Sequence, residues 1–375
     1  MLNRLRSVVR FQESGLVLVV LALGVLLTVF SGTVRTPKFE RTPEGERRRV
    51  FTTDEAGERT PAFVEKNKFL NAQSLAQLAK DTSFIAIMAV GMAVVIIAGG
   101  IDLSVGSIYA IASVLGAVVF QYYGPDGPGA GTSQAVGIFM GCATCLGVAL
   151  LCGLFNGGLT VALKVHPFII TLGAMAIFRG AAFVVSKGNS IGGFPSQFQE
   201  FVLFKVGDNL SVVPALVMII ALVAGWIFLA RLASGRRVYA IGGNELAARF
   251  SGIRVEKVKL GVYLISALSA GIAALVAIGY YGSASSGDGT GKELNVIAAA
   301  VVGGTSLTGG RGSALGVVLG ALLIQMIDTG IVVLEINQNY SQIVIGAVII
   351  AAVALDSFNT RLAERRLAAG AKAKP

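Results

Sequence analysis

The chain has 375 residues, of which 54% are hydrophobic and 14% charged, with a mean hydropathy of +0.75. Soluble domains carry about 25% charged residues, so this composition excludes an ordinary soluble fold and implies a multi-pass membrane protein. The formal charge of +10 is scattered over loops and termini with no basic stripe interleaved with aromatics, which argues against nucleic acid as a partner.

A membrane span needs about 20 mainly apolar residues. Candidates lie near 15–34, 83–99, 102–122, 134–163, 167–186, 211–231, 259–281, 294–310, 312–334 and 340–356. The predicted fold class is therefore all-α: a polytopic membrane helix bundle of about ten transmembrane segments with broken or re-entrant helices. Arg4, Arg6 and Arg10 precede the first stretch, which has no clear small-residue cleavage site and reads as a retained signal-anchor helix. With the N-terminus inside, 17 Lys and Arg residues fall on the cytoplasmic side, in 1–14, at Lys164, in 231–259, at Arg311 and after 357. The external segments 186–210 and 282–293 carry two and one, as the positive-inside rule requires.

The expected organisation is an N-terminal cytoplasmic tail and first span (1–34), an external insertion with an amphipathic lead-in (35–82), a permease core (83–356) holding a cytoplasmic loop (232–258), and a basic tail (357–375). The stretch 35–80 carries ten Lys and Arg on the external side, nearly balanced by seven acids between Glu40 and Glu65. It is expected to be polar and partly disordered, with Asn67 to Gln77 leading into the second span.

Gly99 and Gly100 interrupt the apolar pattern, and Asp102 and Ser104 follow within the same hydrocarbon stretch. Irregular backbone in a membrane is tolerated where protein or a water-filled cavity surrounds it. Asp102 is therefore either a solute-pathway carboxylate or the cap of the next helix start. Further along, Gly137, Gly141, Cys145, Ala149, Gly153 and Gly157 form a small-residue stripe at i+4 spacing, as do Gly312, Gly316 and Gly320, for helix packing or a subunit interface. Cys142, Cys145 and Cys152 share one apolar segment with no partner set for a metal, and read as small packing residues. Arg179, inside the fifth span, is expected to pair with a carbonyl or an acid.

Between the sixth and seventh spans, Asn244 is placed to cap a short helix from Glu245 to Phe250, ended by Gly252. Glu245 at its start and Arg249 near its end suit the helix dipole, and with Ala247 and Ala248 it offers a docking surface. The eighth candidate span is the weakest, helix-like only from Glu293 to Val302 and followed by Gly303, Gly304, Thr305, Ser306, Gly309 and Gly310. This run echoes the first break in the pattern Gly-Gly-x-x-Leu-Ser/Thr-x-Gly, so a half-helix followed by extended backbone is expected. Neither run is a Walker A loop: the sole Gly-Lys pair, Gly291–Lys292, is followed by Glu293.

Four motifs carry a family resemblance: Gly99 to Ser107; His166 to Gly173 with Phe178 to Gly180; Gly235 to Asn244; and Ile297 to Ser313. They resemble the ribose-type permeases of ABC importers, in consistent order over roughly 69–358. The resemblance implies a pore subunit that pairs as a homo- or heterodimer, binds a cytoplasmic ABC ATPase through the Asn244–Gly252 coupling helix, and takes a small-molecule substrate from an extracytoplasmic solute-binding protein. ATP and Mg would then belong to the partner ATPase, with no cofactor, metal or catalytic residue in this chain. Two departures bear on substrate: the 35–66 insertion is long for the family, and Asp328–Thr329 stands where members show an Asn pair.

The expected function is translocation of a monosaccharide or related polyhydroxy solute across a bacterial inner membrane, with Asp102, Ser104, Asn156, Thr305, Ser306 and Asp328 as pathway candidates. Nucleosides, polyols or autoinducers are alternatives within the class. An ion-coupled secondary transporter is the alternative outside it, but His166 and the isolated carboxylates Asp102 and Asp328 make a poor relay.

Overall fold

A computed structural model describes residues 2–42, 47–53, 59–206 and 210–372. Its thirteen helices among these residues are α1 (Leu2–Phe30), α2 (Ala72–Ile97), α3 (Val105–Tyr122), α4 (Gln134–Leu163), α5 (Pro167–Ser186), α6 (Ser196–Val202), α7 (Val213–Arg231), α8 (Ala233–Gly243), α9 (Glu245–Phe250), α10 (Val255–Tyr281), α11 (Lys292–Val302), α12 (Ala314–Val333) and α13 (Asn339–Lys372). Eight of them, α1 to α5, α7, α10 and α12, are long and apolar enough to cross a membrane. The bundle is all-α, and the expected ten spans become eight. The eighth candidate is the 11-residue α11 followed by turns, and the tenth is the shorter apolar stretch Asn339–Leu355 at the start of α13. An 11-residue helix is about 16 Å long, half a hydrocarbon core. The tail beyond 357 continues helical to Lys372.

Helix α2 runs through the middle of the bundle and is buried along nearly all of its apolar length, packed by α7, α10, α11 and α12. Its start is set by Asn71, whose Oδ1 accepts from the Ser74 N–H at 2.9 Å. The expected lead-in from Asn67 is thus a turn up to Asn71 and regular helix from Ala72. Helix α5 starts likewise: the His166 Nδ1 accepts from the Phe168 N–H at 3.3 Å, with Pro167 at the first helical position. The chain's one histidine is therefore a helix cap.

The small-residue stripe of α4 faces inward on two neighbours. A Cβ on Gly137 or Gly141 would run into Tyr123 or Phe120 of the α3 side, and one on Gly153 or Gly157 into Ala267 or Leu260 of α10. Removing these side chains lets three backbones approach where lipid supplies no hydrophobic drive for association. Cys145 and Cys152 are buried in the same seam, and all three cysteines are free thiols. Gly316 and Gly320 similarly admit the backbone of α11 at Gly303 and Ala299.

The 35–66 insertion departs from expectation, because its described residues are ordered strands. Here β1 (Thr33–Pro37) pairs with β6 (Phe63–Asn67), β2 (Phe39–Arg41) with β3 (Arg47–Arg49), and β4 (Phe51–Thr53) with β5 (Arg59–Pro61), all antiparallel. The three ribbons meet at a closed ring of backbone hydrogen bonds. Lys38 N–H donates to the Ala62 carbonyl at 2.8 Å, Ala62 N–H to Val50 at 2.8 Å, and Val50 N–H to Lys38 at 2.9 Å. Residues 38, 50 and 62 are twelve apart, and the sequence repeats with that period as Arg35-Thr-Pro-Lys-Phe39, Arg47-Arg-Arg-Val-Phe51 and Arg59-Thr-Pro-Ala-Phe63. Register follows the repeat: Phe39 faces Arg49, Phe51 faces Pro61, and Phe63 faces Pro37. At the base, Asn67 Nδ2 donates to the Thr28 carbonyl at 2.7 Å, and Lys68 Nζ meets Glu335 Oε1 at 2.6 Å.

The remaining strands are short. They are β7 (Ile191–Gly192), β8 (Lys205–Val206), β9 (Leu210–Ser211) and β10 (Ser283–Ala284); β8 pairs with β9, and β7 with β10. The last pair ties the α5–α6 connection to the α10–α11 connection.

Candidate translocation site and docking helix

Both glycine-rich breaks end their helices in the same way. After α2, Gly99 takes φ +85° while Gly99 N–H donates to Ile96 and Gly100 N–H to Val95. After α11, Gly304 takes φ +91° while Gly304 N–H donates to Val301 and Thr305 N–H to Ala300. Each is a Schellman stop, in which a left-handed residue without a Cβ satisfies the last carbonyls. The structural match pairs Gly99 with Gly304, one residue out of step with the sequence echo that pairs Gly99 with Gly303. Beyond the stops the two segments diverge.

At the first break the chain turns straight into α3, and Asp102 organises the turn. Its Oδ1 accepts from the Ser104 N–H at 3.0 Å and the Ser104 hydroxyl at 2.6 Å, and its Oδ2 accepts from the Ser266 hydroxyl of α10 at 3.1 Å. Asn156 of α4 donates through Nδ2 to the Ser104 hydroxyl at 2.7 Å. All four side chains are buried. The structure thus brings Asp102, Ser104 and Asn156 together and adds Ser266, a residue with no local signal in the sequence. In this conformation the carboxylate caps the start of α3 and ties it to α4 and α10. Asn156 Oδ1 and the nearby Tyr263 hydroxyl have no hydrogen-bond partner within the protein.

At the second break Thr305 and Ser306 are buried, with Thr305 Oγ1 unpartnered in the protein and the Ser306 hydroxyl 2.9 Å from Thr308 Oγ1 and 3.2 Å from Arg311 Nη2. Asp328 lies apart from both breaks and is bound to the Ser341 hydroxyl of α13.

The two breaks are in contact. The Gly310 N–H donates to the carbonyl of Ile97, the last residue of α2, at 2.9 Å. Gly242, near the end of α8, is wedged between them: a Cβ there would overlap the Ile97 carbonyl oxygen and crowd the Gly310 nitrogen. Gly309 and Gly310 in turn lie on the backbone of Gly242 and Gly243. Tyr239 of α8 adds a hydrogen bond to the Gly312 carbonyl at 2.8 Å.

Directly after Gly243 comes the docking helix. Asn244 Oδ1 accepts from the Ala247 N–H at 2.9 Å, Gly252 takes φ +81°, and Ile253 N–H closes a third Schellman stop on Ala248. The six-residue α9 is therefore capped and ended where the sequence predicts. Ala248 points inward to Ile241 and Val255. Arg249 meets Glu256 at 2.7 Å and Glu245 at 3.8 Å, while Lys259 meets Glu245 at 2.7 Å. Glu245 and Arg249 thus hold α9 on α10. The outward apolar groups, missed by the sequence reading, are Leu246 at 67% exposure and Phe250 at 88%, one helical turn apart. A groove of about 720 Å³ beside α9 is lined by Arg237, Arg254 and Lys257.

A group of charges inside the bundle also escaped the sequence reading. Arg179 of α5 donates through Nη1 to the carbonyls of Ser286 and Asp288, at 2.8 and 2.6 Å, as its need for a partner predicts. The Lys292 ammonium sits 4.7 Å from the Tyr109 ring centre and 5.7 Å from Phe84, and Lys80 lies over Tyr280 and Tyr281 at 4.8 and 5.2 Å. Glu293 Oε2 is buried without a partner, hard against Gly106. Their sequence positions read as loop because each stands at the end of an apolar run. The fold draws the 285–293 segment inward onto α3.

A multi-pass membrane protein with paired helix breaks, and a capped, outward-facing helix linked to those breaks, belongs structurally to the transport permeases. Residues 74–353 match the family described as branched-chain amino acid transport system / permease component, and the chain belongs to this family, within its ribose-type ABC importer permeases. It is 37% identical over 291 residues to the ribose import permease protein RbsC of Escherichia coli (strain K12), covering 77% of this chain and 87% of that protein. Similarity to RbsC of Bacillus subtilis (strain 168) is 38% over 297 residues, 79% of this chain and 86% of the relative. The fructose import permease protein FrcC of Rhizobium meliloti is 32% identical over 303 residues, 79% and 81% of the two chains.

Proposed function

We propose that the chain is the permease subunit of an ATP-binding cassette importer in a bacterial inner membrane, and that its solute is a monosaccharide or a closely related polyhydroxy compound. The relatives named for ribose and fructose import support the solute class. ATP and Mg bind a cytoplasmic partner ATPase, a second permease subunit completes the pore, and an extracytoplasmic binding protein delivers the solute.

The observation that carries this reading is the position of Gly242, pressed against both helix breaks two residues before the cap of α9. Leu246 and Phe250 offer the ATPase an apolar hold, and Arg237, Arg254 and Lys257 offer it positive charge. When the ATPase moves, α9 and α8 move as a short rigid lever, and the lever acts on the Ile97–Gly310 contact. The breaks contain the backbone turns at which a helix can change direction without losing internal hydrogen bonds. Of the pathway candidates, Thr305 and Asn156 keep unpartnered oxygens for a solute hydroxyl, whereas Asp102 spends its acceptors on holding α3. Asp328 contributes from the α12–α13 side.

The test is reconstitution. Uptake into proteoliposomes should need the ATPase, ATP and the binding protein together, and should continue when an uncoupler abolishes the proton gradient. Solute counterflow by the purified chain alone would reject the importer reading in favour of a secondary transporter.

A further inference from the structure

The strand module at 33–67 lies wholly outside the family match, which begins at residue 74. Its geometry contains an argument the rest of the chain does not. The three ribbons repeat in sequence, register and junction bonding every twelve residues, so a pseudo-threefold axis relates them. A rotation axis keeps equivalent groups at equal height, so Phe39, Phe51 and Phe63 lie on one side of the junction. Their exposures agree with this: 52%, 53% and 54%. Cross-strand partners share a face, which puts Arg49 with Phe39, Arg59 with Thr53 in the Phe51 ribbon, and the Arg35–Glu65 pair in the Phe63 ribbon.

None of the described residues from 32 to 67 is buried, and the module touches the helix bundle chiefly through its base. Two-stranded ribbons without a covered face are marginal in water. Three half-exposed phenylalanines on one side of a small module call for a surface to cover them.

Composition selects the occupant. Aromatic residues and arginine are the types enriched at protein–protein interfaces and at their energetic hot spots. A bilayer surface is recognised instead by an excess of positive charge, and residues 33–67 have none to speak of, with eight Lys and Arg against seven Asp and Glu. On the first ribbon, Val34, Thr36, Val64 and Lys66 line a groove of about 760 Å³ facing Asn71 to Ser74 and Val332 to Glu335, while Phe63 and Arg35 lie on the other side of the strands. We infer that the Phe39–Phe51–Phe63 face is a docking surface for the extracytoplasmic solute-binding protein, contacting an apolar patch rimmed with acidic side chains. This inference rests on the importer reading above.

The experiment uses the full complex with its ATPase in lipid nanodiscs, titrated with solute-loaded binding protein and read by ATPase stimulation. The triple variant Phe39→Ser, Phe51→Ser, Phe63→Ser should raise the half-maximal binding-protein concentration at least about tenfold with the maximal rate unchanged, a loss typical of hot-spot removal. Arg35→Glu with Arg59→Glu should weaken docking and flatten its dependence on salt between about 50 and 300 mM, the range over which exposed charges are screened. Unchanged half-maximal concentrations in both variants would overturn the docking surface. A second measurement does not depend on loss of function. Trp226 is the sole tryptophan, so Phe51→Trp in a Trp226→Phe background is a single reporter. Its emission should shift on adding binding protein and should resist quenching by brominated lipid. Strong lipid quenching with no response to the binding protein would assign the face to the bilayer and overturn the proposal. If the wild-type complex shows no stimulation at all, the importer reading falls and this inference with it, an outcome distinct from failure in the variants alone.

Discussion

The backbone N–H of Gly310 donates to the carbonyl of Ile97 at 2.9 Å, joining the end of one broken helix to the loop after another across more than two hundred residues of sequence. Gly242 fills the remaining space at this junction. A contact made of backbone on all three sides has no flexible side chain to yield, so small changes there are transmitted to both breaks.

Gly242→Ala should therefore disrupt transport while its neighbour tolerates the same change. The added methyl overlaps backbone atoms, and overpacking of this kind costs about 1–3 kcal/mol. Gly243→Ala meets nothing within 4 Å. The expected outcome is loss of most ATP-driven uptake in the first variant and near wild-type uptake in the second, at equal membrane levels. Equal activity in both would remove Gly242 from the coupling route.

Phe250→Ser should weaken ATPase binding without unfolding the permease, because the ring is almost wholly exposed and stabilises nothing within the chain. A hot-spot aromatic contributes about 2 kcal/mol or more, so affinity should fall roughly thirtyfold. Surface plasmon resonance with the purified ATPase measures it. Exchanging Glu245 and Arg249 is a blunter test, since both also pair with Lys259 and Glu256.

Asp102→Ala should lower thermal stability by about 1–3 kcal/mol, through lost capping and the stranded Ser104 and Ser266 donors. Once folded, such a variant should keep the solute concentration for half-maximal uptake. Thermal melting in detergent and uptake kinetics separate the two effects: a large rise in that concentration without loss of stability would return the carboxylate to the solute pathway.

Gly141→Val should prevent correct packing of α4 on α3, where Phe120 occupies the space a side chain would need, whereas Gly147→Ala should be neutral because that side of the helix is open. Size-exclusion profiles of the two variants check this directly.

The clamp between Lys68 and Glu335 carries a pH signature. The Lys68 hydrogen bond and charge hold the Glu335 carboxyl below its ordinary value of about 4.3. Its contribution to fixing the insertion is complete above that ordinary value and is lost as pH falls through the lowered one. Spin labels at the insertion and on α13 should show a constant distance from pH 8 to 5 and broadening only in stronger acid, while Glu335→Gln broadens at every pH.

Much of this molecule was legible without coordinates. The membrane class, both glycine breaks, the cap at Asn244, the stop at Gly252 and the need of Arg179 for a partner all rest on short-range rules: hydropathy over a window, a side chain three residues from the N–H it caps, a glycine where φ turns positive. The β-module was legible in principle, since the twelve-residue repeat is plain once the junction residues 38, 50 and 62 are set in register. It was hidden by its high charge, which reads as disorder. The inward position of Lys80, Lys292 and Glu293 was not legible, because a charge at the end of an apolar run looks the same whether the next segment leaves the bundle or turns back into it.

By itself, then, the sequence determined that this is a polytopic permease, where its helices stop, and which helix stands outside ready for a partner. Those properties depend on residues within a few positions of each other. Only the tertiary structure decided that Asp102 serves Ser104, Asn156 and Ser266, residues up to 164 positions away, and that Gly242 lies between the two breaks. The partners of a buried carboxylate and the neighbours of a bare backbone are chosen by how helices cross, and no local pattern records that choice.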